Sequence, residues 1–328
     1  LSFKMKKFER FVLGLIRKSF TLVTGLSGSG KTSFVVDKMF IEALETAKNN
    51  NIDVRGKFYS FEMDVEALLA KVVSRKIFTD WRRVIPVSKI LSRSKENVLT
   101  AEEEMLVNSY RHYWKWFEER IDFVIDPVTP DQVKRDLDKL ALTRGTPKYR
   151  KEKDSVIIDG YELNSQEQYT VVYVDHLALV DKSRARLADA MEDLSKVLMR
   201  ARNLYHMTIV GVQQLNSDIF DTNRVKIGRI EPTLSDLGDS KKTARDAEVV
   251  IAIHNPNTFG ISQYGGYDIG LLKDKFRALI LMKNRYGANN IKIPLLFNGA
   301  TGYFSEMGNY DDPKILKLYE KLRNGTTV

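Results

Sequence analysis

Cysteine is absent from the 328-residue chain, and histidine occurs only as His112, His176, His206 and His254, scattered singly. The first absence excludes a disulfide framework, and the second leaves no imidazoles at the spacing a zinc site uses. No apolar run is long enough to span a bilayer and no signal peptide is visible, so no membrane partner is expected and the cytoplasm is the default compartment. The chain starts at Leu1 rather than at Met, which leaves room for a domain upstream. What remains is the composition of an ordinary globular protein, 43% hydrophobic and 29% charged, with length enough for one large domain and appendages. Its formal charge of +9 suits a polyanionic partner, because Lys and Arg that neutralise phosphates release counterions.

Short β-rich runs alternate with amphipathic helical segments, the pattern of a doubly wound, mostly parallel α/β sheet with helices on both faces. The runs at 20–24, 57–61, 121–125, 170–174, 208–212, 248–253 and 278–282 read for the most part as buried central strands. Leu187, Met191, Leu194, Leu198 and Ala201 share one helical face. Leu106, Tyr110, Tyr113 and Phe117 do the same, and with Trp114 and Trp116 they read as core packing in preference to a base-stacking platform. Residues 4–18 alternate charge with Phe8, Val12 and Leu15, which predicts a basic amphipathic helix docked on a neighbouring subunit or on its own domain. Two stretches, 143–168 with its basic run 148–153 and the Gly- and Tyr-rich 255–270, look like exposed insertions. The expected organisation is an N-terminal arm over 1–18, one α/β domain over 19–304 and a tail helix over 305–328.

The strongest motif is Gly25-Leu26-Ser27-Gly28-Ser29-Gly30-Lys31-Thr32, which follows a strand and opens a helix as a Walker A phosphate loop requires. Glycines let backbone N–H groups close around phosphates, the helix N-terminus adds its positive end, and Lys31 bridges the outer phosphates. Contacts to ATP are expected from Gly25, Ser27, Gly28, Ser29, Gly30, Lys31, Thr32 and the adjoining Ser33, with the Thr32 hydroxyl on Mg²⁺. Ser33 stands where a dinucleotide fingerprint would want its third glycine. Asp175 closes the run Val171-Val172-Tyr173-Val174 and supplies the carboxylate a Mg²⁺-triphosphate needs, a Walker B pattern. Glu62, after the strand ending at Phe61, is the candidate to orient and polarise the attacking water. Gln213 or Gln214, at the carboxyl end of another strand, is positioned to sense the terminal phosphate, the alternative being an amide satisfied by backbone.

In their joint order these motifs resemble the C-terminal RecA-like P-loop ATPase domain of the DnaB-type replicative helicases, especially divergent bacteriophage members, from about Phe20 to Phe304. The pieces are the Walker A loop, Ser60-Phe61-Glu62-Met63, Val174-Asp175-His176-Leu177, Gln213-Gln214-Leu215-Asn216, Leu234-Ser235-Asp236-Leu237-Gly238-Asp239-Ser240 and Lys283-Asn284-Arg285-Tyr286-Gly287. The resemblance implies a homohexameric ring around single-stranded DNA, ATP bound between subunits and movement 5′ to 3′. It assigns Glu62 to water activation, Gln214 to phosphate sensing, and Lys283 with Arg285 to the neighbour's nucleotide. It also makes 234–240 a DNA-binding loop. The family often carries an arginine where this chain has Gly238, which shifts the expected DNA contact to Asp239, Ser240, Lys241 and Lys242. The family's collar domain has no counterpart in this chain, and a primase or a helicase loader is a further implied partner. The location implied is cytoplasmic, that of the host if the chain is phage-encoded. A recombinase-like filament ATPase, and an ATP-clamped DNA-binding ring with negligible turnover, are the alternatives.

Overall fold

The computed structural model describes residues 1–92, 97–152, 155–181 and 186–324. The side chains of residues 152, 155, 156, 179, 217 and 238–240 also lie outside that description. In chain order the strands are β1 (Phe20–Gly25), β2 (Asp53–Ser60), β3 (Ile121–Val124), β4 (Gly145–Glu152), β5 (Ser155–Leu163), β6 (Gln168–Asp175), β7 (Thr208–Gln214), β8 (Val249–His254), β9 (Gln263–Tyr264), β10 (Tyr267–Asp268), β11 (Phe276–Asn284), β12 (Ile291–Asn298) and β13 (Tyr303–Glu306). Nine of them form one sheet in the order β13-β12-β11-β8-β1-β7-β6-β2-β3. The six from β8 to β3 run parallel, and β11, β12 and β13 extend the sheet antiparallel.

The central strands are apolar along their whole length because both faces are covered. Phe20, Leu22, Val172 and Val174 point into one core, with Leu194 and Leu198 of the helix Leu187–Tyr205. Val23, Val171 and Tyr173 point into the other, with Phe34 and Phe40 from the helical segment that follows the phosphate loop. This is the period-two alternation of a strand buried on both sides. Met191, Leu194, Leu198 and Ala201 are buried as the spacing predicts, while Leu187, in the first turn, stays 40% exposed.

The first 18 residues are not an amphipathic helix. Their one helical turn is the three-residue 3₁₀ segment Phe8–Arg10. Carboxylates take the backbone donors instead: Glu9 accepts from the amides of Phe3 and Met5, and Glu306 accepts from those of Lys7 and Phe8. Phe3, Met5, Phe8, Val12 and Leu15 are buried in the second core, so the segment packs on its own domain.

The aromatic helix is two helices, Ala101–Ser109 and Arg111–Glu118, with Tyr113, Trp114 and Phe117 buried. Tyr113 and Trp114 each pack against Phe117, so these rings serve the core.

Residues 143–168 are only partly an exposed insertion. Arg144 ends the helix Pro130–Arg144 and pairs with Asp53, and Tyr161 is buried with its hydroxyl on the Ala141 carbonyl. β4 and β5 pair antiparallel, and two of their basic residues are matched locally, Lys148 with Glu162 and Arg150 with Asp159. Residues 255–270 likewise close over the antiparallel end of the sheet, since Tyr267 and Ile269 are core residues beside Ile315 and Tyr319 of the helix Pro313–Arg323. Among the described residues no helix is long and apolar enough to cross a membrane.

Candidate functional site

The sheet order brings the carboxyl ends of β1, β7, β6 and β2 side by side, where ligands of open α/β sheets bind. The register aligns Gly25 with Gln214 and Ser60 with Asp175, and Glu62 lies two residues beyond Ser60. After β1 the chain makes the glycine loop and enters helix at Lys31. Gly30, the residue before that helix, has φ +96°, and a Cβ there would stand 3.2 Å from the Phe304 ring. At Gly25 (φ +157°) a Cβ would meet the Ile253 carbonyl at 2.5 Å. Both positions therefore need glycine.

Gly28, Lys31, Thr32, Glu62 and Gln214 share a cleft of about 270 Å³ with Lys71 and His176. The Lys31 ammonium is folded back onto the Leu26 carbonyl at 2.8 Å. Burial lowers its pKa, against the pull of Glu62 and Asp175.

Asp175 is 1% exposed and neither carboxylate oxygen has a hydrogen-bond partner of good geometry among the described residues. Burial raises its pKa to about 6; the nearby Thr32 hydroxyl lowers it, Glu62 raises it further, and Lys31 and Lys71 lower it. An orphaned, buried carboxylate beside a hydroxyl is a hard-oxygen donor set that fits Mg²⁺ completed by water and phosphate oxygens.

Of the two glutamines, Gln213 is buried with its amide on the Leu237 carbonyl, whereas Gln214 is exposed and lines the cleft. Lys283 and Arg285 are not brought to the cleft. They lie where β11 pairs with the start of β8, at the opposite end of the sheet from Gly25. There the Lys283 ammonium donates to the carbonyls of Ala244 and Arg245, both at 2.8 Å, and Arg285 pairs with Glu248 at 3.3 Å.

The segment before β8 is a 3₁₀ turn, Leu234–Ser240, running into the helix Lys241–Asp246. Asp236 is buried and held by Arg224 and Thr233. Lys241 is exposed, and Lys242 pairs with Glu192. The side chains of Asp239 and Ser240 lie outside the described residues.

Two residues at the site carried no motif. Lys71 sits mid-helix in Val65–Trp81, where a lysine reads as solvated, yet it lines the cleft and burial lowers its pKa against Asp175 and Glu62. Arg277 lies in a strand that is otherwise apolar from Phe276 to Met282, and that single charge was its only signal.

Comparison with known proteins agrees with this geometry. The model of the DnaB-like helicase C-terminal domain matches residues 153–306. The protein named "Probable plasmid replicative DNA helicase" of Chlamydia psittaci is 24% identical over 155 residues, which is 46% of this chain and 30% of that protein. Among solved structures, a DnaB-like replicative helicase described with its interactions with primase aligns at TM-score 0.67 and 15% identity, over 93% of this chain and 62% of that one. An ATPase domain aligns at TM-score 0.68 and 16% identity, over 93% of this chain and 90% of its own. The match thus spans less than a third of the curated relative and under two thirds of the first structure. The fold is a RecA-like ATPase fold, and the resemblance to the DnaB-type helicases read from motif order is borne out.

Proposed function

We propose, from the premise of that relationship, that this chain hydrolyses ATP to move 5′ to 3′ along single-stranded DNA and unwind duplex, as one subunit of a hexameric ring. The observation that carries the reading is the convergence of Lys31, Thr32 and Glu62 on one cleft, with the orphaned Asp175 carboxylate buried beside them. Lys31 leaves the Leu26 carbonyl to bridge the outer phosphates, and the amides of the loop take the remaining phosphate oxygens. Thr32 and Asp175 hold Mg²⁺, which when bound neutralises charge on the triphosphate. Glu62 orients a water for in-line attack and accepts its proton, and Gln214 contacts the terminal phosphate.

A second subunit completes the site in this reading, with Lys283 and Arg285 of one copy, which lie away from the cleft of their own chain, reaching the nucleotide of the next. The loop 234–240 with Lys241 and Lys242 contacts the DNA backbone. Single-stranded DNA, further copies of the chain and a primase or loader are the partners this reading implies, in the cytoplasm of a cell that replicates a plasmid or phage genome.

Glu62→Gln is the test. Nucleotide binding stays near that of the unaltered chain while turnover falls by orders of magnitude, because positioning and electrostatics supply most of the rate in phosphoryl transfer. Phosphate release within a few-fold of the unaltered chain, with or without single-stranded DNA, removes Glu62 from the role.

A further inference from the structure

Arg277 is 3% exposed near the start of β11. Its Nε donates to the Ser29 carbonyl of the phosphate loop at 2.7 Å. Its Nη1 donates to the carbonyls of Asp274 at 2.8 Å and Phe276 at 2.7 Å, and its guanidinium carbon lies 4.9 Å from the centre of the Phe297 ring. Phe297 stacks on Phe304, the ring that covers Gly30. The antiparallel end of the sheet therefore braces the loop from behind.

The other buried arginines differ in one respect. Arg75 has Asp37 and Glu42, Arg144 has Asp53, and Arg202 has Glu248. Arg277 forms no ion pair among the described residues; its partners are carbonyls. The Asp274 carboxylate is near enough to favour the charge but makes no direct ion pair with it, and a buried charge held only by carbonyls is costly, so a fold that keeps one has a use for it. Burial brings its pKa down, to about 10, against the pull of the nearby Asp274 carboxylate, which leaves it charged at neutral pH. The peptide group is planar and trans, so a Ser29 carbonyl turned toward Arg277 sends the Gly30 N–H the opposite way.

We propose that Arg277 is a positioning residue for polyphosphate: it fixes the Ser29–Gly30 peptide of the loop and supplies, from behind it, a positive charge that no direct ion pair among the described residues takes up. The proposal rests on the reading of residues 25–32 as a nucleotide site. Arginine is required rather than lysine because the planar fork serves three carbonyls at once.

The experiment measures the affinity of the whole chain for Mg²⁺-ATP, ADP and AMP, together with KM and kcat, in the unaltered chain, Arg277→Met, Arg277→Lys and Lys31→Ala. Arg277→Met weakens ATP and ADP binding about 10- to 100-fold, the range for losing a charged hydrogen bond. AMP, with a single phosphate, changes least. KM rises in step while kcat at saturation stays within a few-fold, and Arg277→Lys lies between Met and Arg. Unchanged affinity in Arg277→Met beside lost binding in Lys31→Ala overturns the role of Arg277 and leaves the nucleotide site standing. Failure of the unaltered chain to bind ATP overturns both. Loss of the cooperative melting transition in both Arg277 variants overturns the proposal too, since the arginine then serves the fold.

Discussion

The Lys71 ammonium donates to the Ser33 hydroxyl at 3.3 Å, which ties the helix behind Glu62 to the first turn after the phosphate loop. It also faces the two acidic groups of the cleft, and both favour its charged form against burial. Lys71→Met should therefore weaken Mg²⁺-ATP binding by about tenfold, the scale of a charge-assisted hydrogen bond. Lys71→Arg should keep most of it. Titration of a fluorescent ATP analogue checks this, and equal affinities for Met and Lys at the position would return Lys71 to a surface role.

Arg285→Ala should bind ATP and fail to turn over, because a trans arginine contributes on the order of 10³ to 10⁵ in rate in other P-loop enzymes. In one chain its guanidinium is on Glu248 and the Arg245 carbonyl, away from the cleft. Mixing Arg285→Ala with Lys31→Ala subunits should restore activity, since some interfaces then pair an intact loop with an intact arginine. Full ATPase activity in pure Arg285→Ala protein ends the idea. A dead variant that gains nothing in mixtures, with subunit exchange proven, points to a role within its own subunit.

Lys241→Ala should flatten the salt dependence of single-stranded DNA binding by about 0.7 units of log–log slope, the value for one lost phosphate contact. Lys242→Ala should do less, because Glu192 already neutralises that ammonium. Glu192→Gln should tighten binding by freeing it. Slopes that are equal in all three variants would detach this helix start from DNA.

His254, 1% exposed between the rings of Phe259 and Tyr264, has its pKa lowered by burial to about 4; Glu231 opposes the shift, and Arg277 and Lys292 add to it. Between about pH 6.5 and 4 the unfolded chain binds that proton and the folded chain does not, so folding stability drops as pH falls through this window. His254→Phe should remove that part of the acid loss and narrow the fall in melting temperature from pH 6.5 to 4 by on the order of a few degrees. Parallel melting curves for the two proteins across that window would contradict it.

The glycine-rich loop proposed to hold phosphates was legible because its pattern is local: three glycines, a lysine and three hydroxyls within eight residues, between a strand and a helix. Asp175 and Glu62 were legible for a related reason, each being a carboxylate that follows an apolar run. The antiparallel end of the sheet was harder to read. Ile291–Asn298 carries Pro294, a residue that argues against an interior strand, yet here it lies opposite Ala278 with its carbonyl accepting from Met307. The N-terminal segment misled for a physical reason. Its charges and apolar residues alternate as a helix would, but distant contacts decide its course: Glu306 holds the amides of Lys7 and Phe8, and Phe3, Met5, Phe8, Val12 and Leu15 are buried in the core of their own domain.

By itself the sequence determined the α/β class, the glycine-rich loop between a strand and a helix and the order of motifs, since each depends on neighbours a few residues apart or on the burial of a whole strand. The tertiary structure alone decided the rest. It turned Gln214 into the cleft and Gln213 onto a backbone carbonyl, although the two are adjacent, because successive residues of a strand face opposite sides. It brought Lys71 to the acidic groups, set Arg277 behind Ser29 across 248 residues of chain, and sent Lys283 and Arg285 to the far end of the sheet. The placements of Arg277, Lys283 and Arg285 follow from which strands become neighbours, a pairing of distant segments that a local pattern does not encode.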